Sequence, residues 1–139
     1  MHEGMMAFSK SWGYGVRALV HLASSEDSER RWQSGELAEE TGLPASYLSK
    51  ILSSLATAGL LDSARGRGGG VRLATPADKI KLSDIAAATD DLPGEEPSTG
   101  AMIGAPETLV AGLSERWQPY RRGLLEYLAT TTVADLMDK

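Results

Sequence analysis

The chain has 139 residues, no cysteine and a formal net charge of −5. That length suits one ordinary domain, and the lack of thiols excludes disulfides and thiol catalysis. The charge argues against a uniformly basic nucleic-acid binder, but it is uneven: residues 1–72 hold 8 Lys/Arg and 8 Asp/Glu, whereas residues 73–139 hold 6 and 11.

The opening MHEGMMAFSKS has no charged stretch followed by an apolar one, so no secretory signal is expected there. No apolar run reaches the roughly 18 residues of a membrane helix. A cytoplasmic protein without a membrane partner is the simplest expectation. Residues 9–25 predict a first helix, with Val16, Leu19, Val20, Leu22 and Ala23 on its apolar side and Tyr14 nearby. Gly13 and Gly15 weaken helix propensity at its start. His21 reads as structural or exposed, since a lone histidine is a poor metal candidate. Residues 26–31 (EDSERR) form a polar loop, and residues 30–33 are expected to add a short strand.

Ser34 is the expected N-cap of a second helix, with Glu36, Glu39 and Glu40 following. Gly42 can take φ > 0 and end it, and Pro44 fixes the turn. A third helix is predicted over 45–58. Tyr47, Leu48, Ile51, Leu52 and Leu55 form one stripe, and Ser46, Ser49, Lys50, Ser53 and Ser54 form the other face. Those side chains are small or basic, so a phosphate backbone can approach closely. Gly59 is a natural residue just past the helix end. Leu60 and Leu61 start a strand, and Val71 and Leu73 alternate on its return. Between them lies Arg65-Gly66-Arg67-Gly68-Gly69-Gly70, whose four glycines predict a flexible tip and whose two arginines suggest an anionic partner.

Helix, turn, helix and hairpin in that order describe a winged helix-turn-helix, mainly α with a small β-hairpin wing (α+β). Such a module puts a helix in the DNA major groove and a loop beside it. Either half alone is weak. Helix-turn-helix shapes are common in proteins that never touch DNA. A glycine-rich loop can cradle a nucleotide phosphate, but this one lacks the Lys-Ser/Thr ending of a P-loop and precedes a strand, where a dinucleotide fingerprint precedes a helix. The two together favour DNA. Ser34, Ser46, Ser49 and Lys50 are candidate base-edge or phosphate contacts. Tyr47 is expected to pack its ring and extend its hydroxyl to a phosphate. In the wing (63–72), Arg65 is the candidate for the minor groove, where narrow A/T-rich stretches attract guanidinium groups, with Arg67 second and Gly66 and Gly68 shaping the tip.

After the wing, Pro76 can open a helical turn through Lys79. Ile80 and Leu82 read as a brief extended piece, and Ser83 as the cap of a helix ending near Thr89 with Ile85 buried. Residues 90–106 form a loop with three prolines and three glycines. Asp90, Asp91, Glu95 and Glu96 there admit an oxygen-ligand metal reading, but their spacing is no known motif and a solvated acidic loop is favoured. A long helix is predicted from about Pro106 to Ala129. Leu109, Leu113, Trp117, Tyr120, Leu124 and Leu128 recur at 4, 4, 3, 4 and 4, close to the spacing of a helix packed along another. So small a protein has little spare core to cover that stripe, and a partner is the economical explanation. Pro119 is expected to kink or break the helix, and Thr131 or Thr132 to cap a final turn over 133–137. The division expected is a DNA-binding domain over 1–89, a loop over 90–106, and a dimerisation helix with its closing turn over 107–139.

Five segments carry a resemblance over nearly the whole chain. They are Ser9-Lys10 with Tyr14-Gly15-Val16-Arg17-Ala18-Leu19; Leu43-Pro44 with Ser46-Tyr47-Leu48; Leu55 with Ala58-Gly59-Leu60; Ser63 with Arg65-Gly66 and Gly68-Gly69-Gly70; and Ile80 with Leu82 and Asp84-Ile85. The pattern resembles the Rrf-type winged-helix transcription factors. The resemblance implies that the first helix lies near the DNA backbone, making Lys10 and Arg17 candidate phosphate contacts. It also implies that the long helix pairs with its twin in a homodimer. Cluster-binding relatives place three cysteines in the 90–106 region. This chain has none and cannot supply the usual thiolate ligands, so no iron–sulfur cluster and no other cofactor is expected. The expected function is a homodimeric regulator, a repressor, bound to a near-palindromic operator on double-stranded DNA. Its signal is left open between a small-molecule effector, a partner protein and no signal at all, an unregulated repressor. Trp12, Trp32 and Trp117 are read as core residues, though one could line a pocket. No nucleophile–base pair or metal-ligand cluster supports an enzyme. The rival reading is a protein-interaction adaptor that kept the fold and lost specific DNA binding.

Overall fold

The elements run α1 (Lys10–Ala23), α2 (Ser34–Thr41), α3 (Ala45–Thr57), β1 (Leu61–Ala64), β2 (Gly70–Leu73), α4 (Leu82–Ala88) and α5 (Glu107–Thr130), with 3₁₀ turns at Ala77–Lys79 and Ala134–Leu136. This is a computed structural model, and it describes residues 10–89, 104 and 106–137. The expected loop over 90–106, with its acidic residues, falls almost wholly outside those residues.

The apolar stripes meet as their periodicity requires. Leu19 of α1, Leu37 of α2, Leu48 and Leu55 of α3, and Ile85 of α4 are each fully buried in one cluster. Gly15 sits in α1 despite its poor propensity because a Cβ there would stand 3.1 Å from Ile85 Cγ2. The glycine lets α1 and α4 approach closely. The Trp12 indole N–H donates to the Leu82 carbonyl at 3.2 Å, pinning the same two helices.

The helix-turn-helix closes as expected. Gly42 takes φ 76° and donates its N–H to Ala38, and Pro44 precedes α3 in extended conformation. Two caps differ from expectation. Ser34 is the first helical residue of α2, Gln33 stands at the N-cap, and no side chain caps that end. In α4 the cap position is Lys81, whose N–H donates to Asp84 Oδ2 at 2.9 Å, and Ser83 lies inside the helix. In both cases a long-range bridge precedes the helix, Trp32 with Val71 and Lys81 with Thr132, and the cap falls one residue before Ser34 and two before Ser83. Residues 30–33 do add an extended piece: Trp32 and Val71 exchange backbone hydrogen bonds, both 2.8 Å.

The hairpin is antiparallel, pairing Leu61 with Leu73, Asp62 with Arg72, Ser63 with Val71 and Ala64 with Gly70. Its tip is tied rather than loose. Gly69 is buried, and a Cβ there would lie 2.4 Å from the Ala64 carbonyl oxygen; at Gly70 it would lie 2.4 Å from that of Trp32. These two glycines serve close backbone approach, which composition alone reads as flexibility.

Helix α5 runs unbroken through Pro119. Its two halves have different surroundings. Leu109, Leu113 and Tyr120 are exposed, Tyr120 by 71%. Leu124 packs against the core, and Leu128 is buried within it at 1% exposure, beside Val133. Leu128 therefore has no surface left for a partner, because α5 leans on α4 near its C-terminal end. The core thus crosses the boundary expected between 1–89 and 107–139. Leu82 N–H donates to the Thr131 carbonyl and Val133 N–H to that of Ile80, both at 2.9 Å. The closing turn is capped by Thr132 and Asp135, each accepting the other's backbone N–H, at 3.2 and 2.9 Å.

Candidate nucleic-acid interface

Helix α3 buries Leu48, Ile51, Leu52 and Leu55 and presents Ser46, Ser49, Lys50 and Ser53 to solvent. The Ser49 hydroxyl donates to the Ala45 carbonyl at 3.2 Å, and that of Thr57 to Ser53 at 3.0 Å. Their lone pairs remain open, while donation to a phosphate needs only a rotamer change. Exposed Lys50 adds a cation without bulk near the backbone.

Tyr47 packs edge-on against Tyr14, with centroids 5.4 Å apart and an interplanar angle of 89°. Its hydroxyl lies 2.7 Å from Ser11 Oγ, so the tyrosine also fastens the start of α3 to α1. Arg17, exposed on α1, donates to the Thr41 carbonyl at the end of α2. That contact parks the guanidinium beside the helix-helix turn. Lys10 is exposed at the start of α1.

The wing tip is a turn in which Gly69 N–H donates to the Gly66 carbonyl at 2.9 Å, with Gly66 at φ 85° and Gly68 at φ 79°. Arg65 and Arg67 are exposed on it. The third arginine of this stretch has another role. Arg72 pairs with Asp62 at 3.2 Å and Glu29 at 2.6 Å, while Arg31 pairs with Asp62 at 2.8 Å. Desolvation works to raise the Asp62 carboxyl, but the hydrogen bond and charge of Arg31, and then those of Arg72, outweigh it and hold the carboxyl below its ordinary value. This network secures the root of the wing and leaves its charge concentrated at the tip.

Between α3 and the wing runs a groove of about 410 Å³, lined among others by Ser34, Ser49, Ser53, Arg65 and Gly66. It brings together sequence candidates from α2, α3 and the wing. Of the other candidates, Lys10, Arg17, Ser46, Tyr47, Lys50, Arg67 and Gly68 are not part of its lining. Gln33 and Thr57 line it too and were not among the candidates. Thr57 continues the series Ser49, Ser53 at four-residue spacing, so the pattern held a signal for it. Gln33 had none, since its place depends on the wing folding back.

The model of the Rrf2 family, described as an iron-dependent transcriptional regulator, matches residues 8–139. The chain belongs to the Rrf2 family. It is accordingly a DNA-binding transcriptional regulator with a winged helix-turn-helix, and its relatives are regulators rather than enzymes. Protein aau3 of Rhizobium meliloti is 33% identical, the match covering 95% of this chain and 85% of that protein. A Mycobacterium tuberculosis protein named as an HTH-type transcriptional regulator is 32% identical over 94% of this chain and 81% of its own. The structure of CymR, the global cysteine regulator of B. subtilis, superposes with a TM-score of 0.72 at 28% identity, covering 92% of this chain and 93% of that one. The family's iron dependence has no thiolate to rest on here, because the chain contains no cysteine. Among the described residues no group of three or more His, Asp or Glu is arranged to hold a metal ion. The residues present do not fit a thiolate-held cluster. No helix among the described residues is long and apolar enough to cross a membrane.

Proposed function

We propose that this regulator is a homodimeric, cytoplasmic repressor that binds a near-palindromic operator without an iron–sulfur cluster. The observation that carries the reading is the groove between α3 and the wing, where Ser34, Ser49 and Arg65 from three elements share one opening. In this reading Ser46, Ser49 and Lys50 enter the major groove, and Tyr47, Ser34, Lys10 and Arg17 meet phosphates. Arg65 and Arg67, on a tip shaped by Gly66 and Gly68, enter the minor groove. The local positive charge suffices on an acidic chain because counterion release depends on the contact patch. Residues 10–89 supply the reading surface and the first half of α5 the dimer contact.

The dimer reading is supported by the exposed Leu109, Val110, Leu113 and Tyr120 on one stretch of α5. An apolar stretch of this kind is rarely left to water. Trp117 lies within that stretch, while Leu124 and Leu128 support it from the chain's own core. A two-fold dimer sets its half-sites about 34 Å apart, and a protein seated there blocks access to the operator. The signal that releases it is a small molecule or a partner protein. The test is selection of bound sites from fragmented genomic DNA, with protein verified as a dimer by sedimentation. Recovery of a near-palindromic site supports the reading. Salt-insensitive retention without an enriched site favours an adaptor.

A further inference from the structure

Gln33 joins the two DNA-reading parts of the molecule. Its side-chain amide donates to the Gly69 carbonyl at 2.8 Å. Gly69 is the residue whose own N–H closes the turn onto Gly66, so this hydrogen bond grips the tip from which Arg65 and Arg67 project. Gln33 is also the N-cap residue of α2, which packs directly on α3. One side chain therefore spans from the helix-turn-helix to the end of the wing. The other ties in this region act lower down. Trp32 pairs through its backbone with Val71, and Arg31 donates to the carbonyls of Asp62 and Gly70, each at 3.2 Å.

We propose that Gln33 is a positioning residue that sets the offset between the recognition helix and the wing, and so the preference for A/T pairs flanking the major-groove site. The proposal rests on the DNA-binding reading above. Without the Gln33 tie, Gly66 and Gly68 let the tip swing about a root still fixed by Asp62, Arg31 and Arg72. Arg65 then reaches the minor groove only after the tip is ordered, and flank discrimination weakens. The bases read by Ser46, Ser49 and Lys50 are unaffected, because α3 is held by its own buried face. Gln33 is exposed, so its replacement leaves the core intact.

The test is the selection of sites from a random-sequence duplex pool by the full chain, by Gln33→Met and by Arg65→Ala. Methionine keeps the length of the side chain and removes the donor. One net hydrogen bond corresponds to about a threefold to tenfold effect, so Gln33→Met is expected to lower the A/T flank preference by that factor. The central half-site stays unchanged, as does the urea midpoint to within a few tenths molar. Adding Gln33→Met to a chain that carries both Arg65→Ala and Arg67→Ala changes the flank no further, because its effect passes through those two guanidinium groups. Equal loss of core and flank discrimination, or an unchanged flank, overturns the role of Gln33. Failure of the unmodified chain to enrich any site overturns the DNA-binding reading, and this proposal with it.

Discussion

Substitution of Gly70 by alanine tests whether the wing is docked on the strand before α2. Gly70 has φ +122°, and a Cβ there would lie 2.4 Å from the Trp32 carbonyl oxygen and 2.6 Å from its carbon. An L residue in that backbone region costs about 1–3 kcal/mol. Relieving the overlap means separating Trp32 from Val71 and losing two hydrogen bonds of 2.8 Å, each contributing about 0.5–1.5 kcal/mol net. The expected loss is about 2–6 kcal/mol, a large share of the ~5–15 kcal/mol of a typical domain. Gly68→Ala is the comparison. It shares a positive φ of 79° but has open space around it, so only backbone strain of about 1 kcal/mol applies. Gly13→Ala, with nothing within 4 Å, is expected to gain about 0.5–1 kcal/mol inside its helix. Urea unfolding of the three variants ranks them. A Gly70→Ala variant no less stable than Gly68→Ala would refute the docking.

Arg65→Ala is expected to weaken operator binding by about 1–3 kcal/mol, read by titration at fixed salt, with a shallower salt slope. Leu113→Asp, placed on the exposed part of α5, is expected to shift sedimentation to the monomer while the folded signal persists. Leu128→Ala acts on the core instead and is expected to cost about 2–5 kcal/mol of stability, by urea unfolding at concentrations where dimerisation is constant. The Asp62 carboxyl is held below its ordinary value in the folded chain. Its contribution is therefore full above the unfolded value and lost as pH falls through the folded one, so the wing root is expected to loosen below about pH 4. An Asp62→Asn chain whose acid unfolding matched the unmodified protein would contradict that.

The local features of the fold were legible because each depends on neighbours in sequence. The stripe of α3, the αL glycine at Gly42 and the alternation into the hairpin needed no distant contact to be recognised. What escaped was set by the chain returning on itself. Leu128 continues the same stripe as Leu109, yet α4 covers one and not the other. Ser34 has the chemistry of a cap, but the pairing of Trp32 with Val71 places Gln33 there. Arg72 is a third arginine of the 63–72 stretch by sequence, and only folding sets Asp62 and Glu29 beside it. In the candidate groove, Ser49 and Arg65 were readable from residue type and element. Gln33 was not, because its partner lies 36 residues further along the chain.

The most direct measurement is a hydroxyl-radical and methylation footprint of the dimer on a selected duplex, repeated with Arg65→Ala. The account predicts two major-groove patches about one helical turn apart, each flanked by minor-groove protection that the variant loses. A single patch, or minor-groove protection that survives without Arg65, would contradict it.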